Sequence, residues 1–228
     1  MISTASVYSD AQGRGLETPD LGFPLYPDLI TEAQPLMPPG NGYSAGKVAL
    51  EVALEGRAAI LRPGAIHGIG ARLPRAWWFV KRALDGRVRI AVADGGRSVF
   101  HTSSTLGIAG LTRHLVEQGI TGVFNAVDPV APSIAEIAQT VGQIMGRRFD
   151  LVDHEIGQTP WSTKHPMRLS SAKARATRWD GGPDYAACLP EYVTWMVGQA
   201  AGWRSAFPVF RSYDPDPFDD VAEDFALG

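Results

Sequence analysis

The chain has 228 residues, of which 45% are hydrophobic and 20% are charged, and its net charge is −3. These values are typical of a globular protein with a substantial core, and a net negative charge with scattered arginines argues against nucleic acid as a partner. Cys188 is the only cysteine and no apolar run is long enough to span a bilayer, so an internal disulfide and a membrane-spanning helix are excluded and we expect a cytoplasmic location.

The first part of the chain predicts a strand, a long loop and a helix. Residues 2–7 are β-branched and hydroxyl-rich, which favours a strand. Residues 9–42 contain six prolines and have no regular period, so we predict a long loop, a feature that is usually functional or mobile. A helix follows and stops at Gly56. The apolar run over 58–62 predicts a second strand, which a proline and a glycine terminate.

The rest of the chain alternates between helical and strand patterns. Apolar residues at helical spacing predict helices in RAWWFVKRALDG, TLGIAGLTRHLVEQG, SIAEIAQTVGQIMGR and PDYAACLPEYVTWMVGQAAG. Ser133 and Glu136 have capping-box spacing at the start of the third of these helices. Further strands are predicted in VRIAVADGG, over 122–127 and in FDLVDHEI. Residues 214–228 carry six acidic side chains and no basic one, which predicts a solvated or loosely docked tail.

The alternation of strands and helices predicts an α/β protein. The strands predicted over 2–7, 58–62 and 122–127 are separated by helical segments. We therefore expect them to pair in parallel through crossover connections. The five histidines have no metal-binding spacing, so we expect no metal site.

The stretch GNGYSAGKVALEVAL over 40–54 matches two catalytic motifs. In the first, residues 42–46 spell G-x-S-x-G, the nucleophile elbow of serine hydrolases, with Ser44 as the nucleophile. That elbow requires a strand directly before the serine. Three prolines fall in the eight residues before Gly42, and proline is excluded from central strands. A serine hydrolase is therefore the weaker alternative.

In the second motif, Tyr43 and Lys47 form the pattern Y-x-x-x-K. Residues four apart share one face of a helix, so we expect Lys47 beside Tyr43, where its positive charge favours the phenolate. Tyr43 could then act as an acid or base near neutral pH. The pair alone is a weak signal, because a helix that starts beside a surface lysine has the same pattern. The sequence segments on either side of the pair strengthen the tyrosine–lysine interpretation.

A series of segments in a fixed order resembles the extended short-chain dehydrogenase family, the NAD-dependent epimerase/dehydratases. The segments are ISTASVY, YSAGKVALE, AAILRPGAIHGIG, GRSVFHTSSTLGIAGL, GVFNAVDPVAPSIAEIA and SSAKARATRW. The resemblance implies an α/β fold, with a partial Rossmann-like parallel sheet and a smaller C-terminal substrate-binding α/β subdomain. It also implies an epimerase, dehydratase or reductase that uses NAD or NADP and acts on a small molecule such as a nucleotide sugar.

The resemblance assigns roles to the residues that match its motifs. Thr4, with Ser3 beside it, matches the hydroxyl residue that orients the substrate. Tyr43 matches the residue that moves the proton, and Lys47 matches the lysine that supports it and binds the nicotinamide ribose. The residues that match the nicotinamide-lining segment are Pro63, Gly64, Ala65 and Ile66.

Other positions receive weaker assignments. His67 stands where the family usually has tyrosine and is a candidate substrate contact. Arg97 matches an arginine that contacts the substrate phosphate, although a surface arginine in a turn is an equal alternative. Trp77 and Trp78 are expected to pack in the core, and His101 is expected to be structural. Further candidate substrate contacts are Trp161, His165 and Arg168.

Two departures from the family pattern matter. The loop between Thr4 and Tyr43 is longer than usual, which implies an atypical substrate. The turn G-x-x-G-x-x-G, which holds the cofactor pyrophosphate, is absent, and GAIHGIG over 64–70 has the wrong spacing. We therefore expect the chain to correspond to the C-terminal two thirds of an extended dehydrogenase. A truncated or non-catalytic remnant that cannot bind a dinucleotide alone is the main alternative to an active enzyme.

The resemblance also divides the chain by function. Residues 1–70 and 108–128 correspond to the C-terminal part of a Rossmann-like domain, residues 71–107 and 129–203 to the substrate-binding subdomain, and residues 204–228 to an acidic tail. The edges of parallel sheets are normally covered. We therefore expect the long loop, a partner chain or a second copy in a homo-oligomer to cover the edge of the first predicted strand.

Overall fold

The computed structural model describes the backbone of residues 1–228 and the side chains of residues 1–18 and 20–228. The helices are α1 (Tyr43–Ala53), α2 (Trp77–Leu84), α3 (Thr105–Glu117), α4 (Ile134–Ile144), α5 (Ala172–Ala176), α6 (Tyr185–Val197), α7 (Trp203–Ala206) and α8 (Asp220–Leu227). The strands are β1 (Ala59–Pro63), β2 (Ala65–His67), β3 (Arg89–Val92), β4 (Thr102–Ser104), β5 (Gly122–Ala126) and β6 (Asp150–Asp153). The predicted α/β class is confirmed.

The chain forms two compact units. The first unit contains residues 1–66, 100–131 and 163–184, and the second contains residues 67–99, 132–162 and 185–228. These units are defined by their internal contacts. The predicted division into cofactor and substrate parts is a division by function, and it stays a prediction.

The first unit is built around parallel strand pairing. β1 pairs with β5 in the register Leu61 to Phe124 and Arg62 to Asn125, and Ile2 forms a parallel bridge to Leu61 on the other side of β1. Helix α3 connects toward β5 and packs against β1. One hydrophobic cluster in the core of this unit contains Leu61, Leu111, Leu115, Phe124, Ala126, Ala174 and Trp179. The parallel pairing expected of these three segments is therefore observed.

The prediction of a strand over residues 2–7 is wrong after Ile2. Residues Ala5–Val7 form a 3₁₀ turn, and Thr4 caps it by accepting the backbone N–H of Ser6 at 3.2 Å. Short hydroxyl side chains bond to the nearby backbone and so compete with strand pairing. The chain then pairs with its own loop, because Met37 N–H donates to the carbonyl of Val7 at 2.8 Å. Part of the proline-rich loop therefore lies beside the end of this segment.

In the second unit, helices α2, α4 and α6 pack together, and β3 pairs in parallel with β6. The predicted capping box of α4 is present, with Ser133 accepting from the backbone of Glu136 and the Glu136 carboxylate accepting from the backbone of Ser133. Trp77 and Trp78 are buried, and the ring of Trp77 lies 5.2 Å from that of Phe207. Their predicted place in the core is confirmed.

The prediction of a solvated tail over 214–228 is wrong for Glu223. This residue lies on α8 and is buried, while Phe225 on the same helix is 92% exposed. Glu223 accepts hydrogen bonds from the backbone N–H of Ala91 at 2.7 Å and from Arg82 at 3.0 Å, and Arg87 lies 3.4 Å away. The two arginines compensate the buried carboxylate, so one acidic residue of the tail is part of the second unit.

Candidate functional site

Polar residues lie at the carboxyl ends of the parallel segments of the first unit. Ser3 follows Ile2 directly, Arg62 is the fourth residue of β1, and Asn125 is the fourth residue of β5. Ligands of open parallel α/β sheets bind outside the carboxyl ends of the strands. This edge of the sheet is therefore the candidate site.

Helix α1 is fixed to the segment after Met1 by contacts spaced one turn apart. Ser44 Oγ lies 2.7 Å from Ser6 Oγ, and the Lys47 ammonium donates to the carbonyl of Ile2 at 3.0 Å. One turn further along the helix, Glu51 accepts a hydrogen bond from the hydroxyl of Ser3. Positions 44, 47 and 51 lie on one helix face. These contacts therefore set the orientation of the helix that carries Tyr43.

The structure brings Tyr43 and Lys47 together as their spacing predicts. The Lys47 Nζ lies 5.8 Å from the centroid of the Tyr43 ring, which is within cation–π range. Tyr43 is 60% exposed at the start of α1, so its hydroxyl is accessible to a ligand. The contact joins the ammonium to the ring of Tyr43, and the catalytic roles of the two residues stay predictions.

Ser44 has partners that do not suit a nucleophile. Its side chain is fully buried, and its hydroxyl donates to the Glu17 carboxylate at 2.6 Å and contacts Ser6. The six residues before Tyr43 do not form a strand, as the prolines predict. No histidine is among the hydrogen-bond partners of Ser44 in the described part of the chain. The geometry therefore argues against the serine-hydrolase alternative.

Glu17 was not singled out by the sequence, yet it contacts the start of α1. Its carboxylate accepts both the backbone N–H of Ser44 at 3.1 Å and the Ser44 hydroxyl. A negative charge at this position is favourable because the first N–H groups of a helix carry a partial positive charge. The contact joins the long loop to the helix start, and no local sequence pattern predicts it, since 27 residues separate the partners.

Residues Pro63 to Ile66 cover the end of β1, a tight turn at Gly64 and the start of β2, and backbone contacts fix this segment. The N–H of Gly64 donates to Ser103 Oγ at 2.8 Å, and the N–H of Ala65 donates to the carbonyl of His101 at 2.8 Å. A Cβ atom on Gly64 would lie 2.0 Å from that same carbonyl oxygen. The turn therefore requires glycine at this position, and its predicted contact with nicotinamide stays a prediction.

We predict that Gly64→Ala destabilises the protein by about 1–3 kcal/mol, because the added methyl group overlaps the His101 carbonyl. Thermal unfolding followed by circular dichroism measures the effect. Gly46→Ala is the matched control, since a Cβ at Gly46 on α1 meets nothing closer than 3.9 Å. Alanine is the better helix former, so this control is expected to stabilise the protein by roughly 0.5–1 kcal/mol. An unchanged or higher melting temperature for Gly64→Ala would contradict the prediction.

The remaining candidate substrate residues differ in their surroundings. Ser3 is buried and its hydroxyl donates to Glu51, so it anchors α1 and a substrate contact has no geometric support. In the second unit, His67 is buried with its ring 4.6 Å from that of Tyr185. Arg97 is largely exposed and lies 3.7 Å from Asp153, a weak surface ion pair. Their predicted substrate roles stay predictions.

A buried polar network at the strand ends is the main feature that sequence reasoning missed. The Arg62 guanidinium pairs with the Glu51 carboxylate at 2.5 Å and lies over the ring of Tyr8, 4.9 Å from its centroid. The Tyr8 hydroxyl donates to Asn125 Oδ1 at 2.6 Å. Burial raises the pKa of Tyr8 to about 12, against a smaller opposing effect of Arg62, so Tyr8 stays a neutral donor. The sequence signal was a charged residue inside an apolar strand.

His101 is structural, as expected. It is buried, its Nδ1 accepts the backbone N–H of Leu169 at 3.0 Å, and its Nε2 lies 3.0 Å from the carbonyl of Asp128. These partners assign the proton to Nε2. Burial lowers the pKa of His101, so the ring is neutral at physiological pH.

Metal sites and membrane spans can be assessed for the residues that the structure describes. Among those residues, no group of three or more His, Cys, Asp and Glu side chains is placed to hold a metal ion. None of their helices is both long and apolar enough to cross a membrane.

The residues present fit the ribose and nicotinamide end of a dinucleotide better than its pyrophosphate. Tyr43 is exposed and the Lys47 ammonium lies 5.8 Å from its ring centroid, so one helix end offers a hydroxyl and an ammonium, two groups that can bind a ribose. The tight turn at Gly64 brings backbone close to the same strand edge. The 228 residues contain no G-x-x-G-x-x-G turn for the pyrophosphate.

The parallel strand order, the polar strand ends and the tyrosine–lysine helix define a Rossmann-like α/β protein. No model of a known protein family matches the chain, and no curated protein sequence is significantly similar to it. Solved structures do share its fold. The dTDP-glucose 4,6-dehydratase of Bacillus anthracis, in complex with NAD, superposes with a TM-score of 0.62 at 17% identity, over 90% of this chain and 63% of that one.

Solved structures of epimerases also share the fold of this chain. The UDP-N-acetylglucosamine 4-epimerase of Methanobrevibacter ruminantium, in complex with UDP-N-acetylmuramic acid, has a TM-score of 0.63 at 17% identity, over 87% of this chain and 62% of that one. The UDP-glucuronic acid 4-epimerase of Bacillus cereus, in complex with UDP-glucuronic acid and NAD, has a TM-score of 0.59 at 17% identity, over 85% of this chain and 59% of that one. The chain thus has the fold of NAD-dependent epimerases and dehydratases and spans about three fifths of their length.

Proposed function

We propose that this chain carries the proton-transfer residues of an NAD(P)-dependent epimerase, dehydratase or reductase of the extended short-chain type. The observation that carries the proposal is the accessible Tyr43 with the Lys47 ammonium 5.8 Å from its ring centroid, in a fold shared with such enzymes. A nucleotide sugar, or a similar compound with a hydroxyl or carbonyl group, is the proposed substrate class. The solved relatives in fold act on or bind nucleotide sugars, which supports this choice.

In the proposed reaction Thr4 binds the reacting hydroxyl of the substrate, and Tyr43 takes or returns its proton. Lys47 places a positive charge beside Tyr43, with its Nζ 5.8 Å from the ring centroid. A bound nicotinamide supplies the hydride acceptor or donor. The residues proposed to contact it are Tyr43, Lys47, Pro63, Gly64, Ala65 and Ile66.

A second candidate is a protein that keeps the fold but does not bind a dinucleotide by itself. The absence of the glycine-rich pyrophosphate turn from the 228 residues favours it. The two candidates differ in one measurable property, which is whether the isolated chain binds NAD or NADP.

For the enzyme, we expect NAD or NADP to raise the stability of the isolated chain by mass action. A cofactor at a hundred times its dissociation constant adds about 2.7 kcal/mol. For a chain of this size that corresponds to a melting temperature roughly 5–10 °C higher. Thermal unfolding is followed with millimolar NAD, NADP or, as the control for adenine binding alone, AMP. Equal curves with and without both dinucleotides would favour the non-binding candidate.

A further inference from the structure

Helix α8 of the second unit exposes its large apolar side chains and buries a charged one. Val221 and Phe225, which are one turn apart on the helix, are 80% and 92% exposed. Of the residues described on α8, only Glu223 is buried. The apolar side of a surface helix normally faces the core, so the orientation of α8 is the reverse of the usual one. The helix is therefore held mainly by polar contacts.

The Glu223 carboxylate lies in an anion cradle, which we define as the guanidinium groups of Arg82 and Arg87 and the backbone N–H of Ala91. The N–H of Ala91 donates to Glu223 Oε1 at 2.7 Å, and Arg82 Nη2 donates to Glu223 Oε2 at 3.0 Å. Arg87 Nη2 lies 3.4 Å from the same Oε2. The side chains of Arg82 and Arg87 are 4% and 12% exposed. Two nearly buried positive charges and an N–H group thus converge on one carboxylate.

The arginines of the anion cradle have donors that this carboxylate does not use. Arg82 Nε and Arg87 Nε are buried, and neither has a hydrogen-bond partner among the residues that the structure describes. Asp220 Oδ1 lies 3.8 Å from Arg87 Nε, which is beyond hydrogen-bond distance. A phosphate group has more acceptor oxygens than a carboxylate, and the planar guanidinium group can bind it through two parallel hydrogen bonds. The chemistry of the cradle therefore suits a phosphate group.

We propose that the anion cradle is a binding site for a phosphate group, and that α8 fills it from within the same chain through Glu223. The two ligands compete, so binding of phosphate releases α8. The other carboxylates that contact Arg87, those of Asp220 and Asp224, are also on α8 and leave with it. The proposal goes beyond the proposed function, because none of these residues takes part in that reaction.

Thermal unfolding of Glu223→Ala with added phosphate tests the site. The variant leaves two buried guanidinium groups without their carboxylate, so it is expected to be less stable than the wild type. Inorganic phosphate at a hundred times its dissociation constant is expected to raise the melting temperature of this variant by roughly 5–10 °C, relative to sodium chloride at equal ionic strength. Glu191→Ala, at an exposed position of the same unit, is the matched control and should show no such difference. A parallel titration with glucose 6-phosphate shows whether the cradle also accepts a phosphate ester.

Hydrogen exchange of the wild type tests the release of α8 without any substitution. Phosphate at ten times its dissociation constant for the released state increases the population of that state about tenfold, so the amides of residues 219–228 should exchange about tenfold faster than in sodium chloride. In the double variant Glu223→Ala, Arg87→Gln one guanidinium group is gone, and the thermal shift with phosphate should be lost. The proposal is overturned if phosphate and chloride give Glu223→Ala equal melting temperatures, or if the double variant keeps the shift. If Glu223→Ala does not fold, the exchange of the wild type decides, and equal rates in the two salts overturn the proposal.

Discussion

Replacing Glu51 with alanine is expected to lower the free energy of unfolding by about 3–5 kcal/mol, because the buried Arg62 guanidinium loses its carboxylate partner. The side chains of Arg62 and Glu51 are 4% and 5% exposed and meet at 2.5 Å. A charge at such a site is stable only when it is paired. The same substitution removes the acceptor of the Ser3 hydroxyl, so α1 also loses a contact to the sheet. Urea unfolding of the wild type and the variant measures the difference.

Two controls identify the cause of this loss. Glu55→Ala removes a carboxylate from an exposed position just after α1, and we expect a change within about 0.5 kcal/mol. Glu51→Leu combined with Arg62→Met replaces both charges by apolar groups, and it is expected to be more stable than Glu51→Ala, since no unpaired charge remains. A Glu51→Ala variant that lost less than about 1 kcal/mol, the contribution of an ordinary hydrogen bond, would show that solvent compensates Arg62.

The Glu51–Arg62 pair links the stability of the first unit to the geometry of the candidate site. Glu51 lies on α1 two turns after Tyr43, and Arg62 lies at the carboxyl end of β1. Arg62 also contacts the ring of Tyr8, whose hydroxyl reaches Asn125 on β5. Helix and sheet are therefore joined through one buried network, and the helix face that carries Tyr43 is oriented by it.

Elements whose signal is local could be predicted from the sequence. The apolar runs over 58–62 and 122–127 became β1 and β5, at 59–63 and 122–126, because turn residues end them on both sides. The same holds for α4, whose capping box satisfies its own first N–H groups. The alternation of such elements was enough to predict the α/β class, and with it the strand edge at which Thr4 and Tyr43 are found.

Features that depend on distant partners could not be predicted. Glu51 looked like an ordinary helical glutamate, and only the fold places it against Arg62 on the next strand. Glu223 looked like part of a solvated acidic tail, yet it is paired with Arg82, 141 residues away in sequence. Charge composition describes an average environment, whereas a buried carboxylate is stabilised by a particular partner. The clue available in the sequence was the arginine inside AAILRP, since an arginine in an apolar strand needs a partner.

Tyr43→Phe is expected to reduce kcat/KM by about 10²–10⁴-fold, the usual contribution of a positioned acid or base. The substitution removes only a hydroxyl from a side chain that is 60% exposed, so the free energy of unfolding should change by less than about 0.5 kcal/mol. Turnover of UDP-glucose, dTDP-glucose and UDP-glucuronic acid with NAD is measured at 340 nm and by product chromatography. A loss of activity at unchanged stability would therefore report on chemistry rather than on folding.

Variants of Lys47 are measured together with Tyr43→Phe, because the proposed function assigns the effect of Lys47 to its positive charge. Lys47→Met removes the ammonium whose Nζ lies 5.8 Å from the Tyr43 ring centroid, and it is expected to lower kcat, since the site loses its positive charge. Lys47→Arg keeps the charge and should retain more activity at neutral pH than Lys47→Met. Tyr213→Phe, the same change at a tyrosine of the second unit, is the control for the loss of a hydroxyl. If Tyr43→Phe and Tyr213→Phe had the same kcat/KM, Tyr43 would not be the proton-transfer residue.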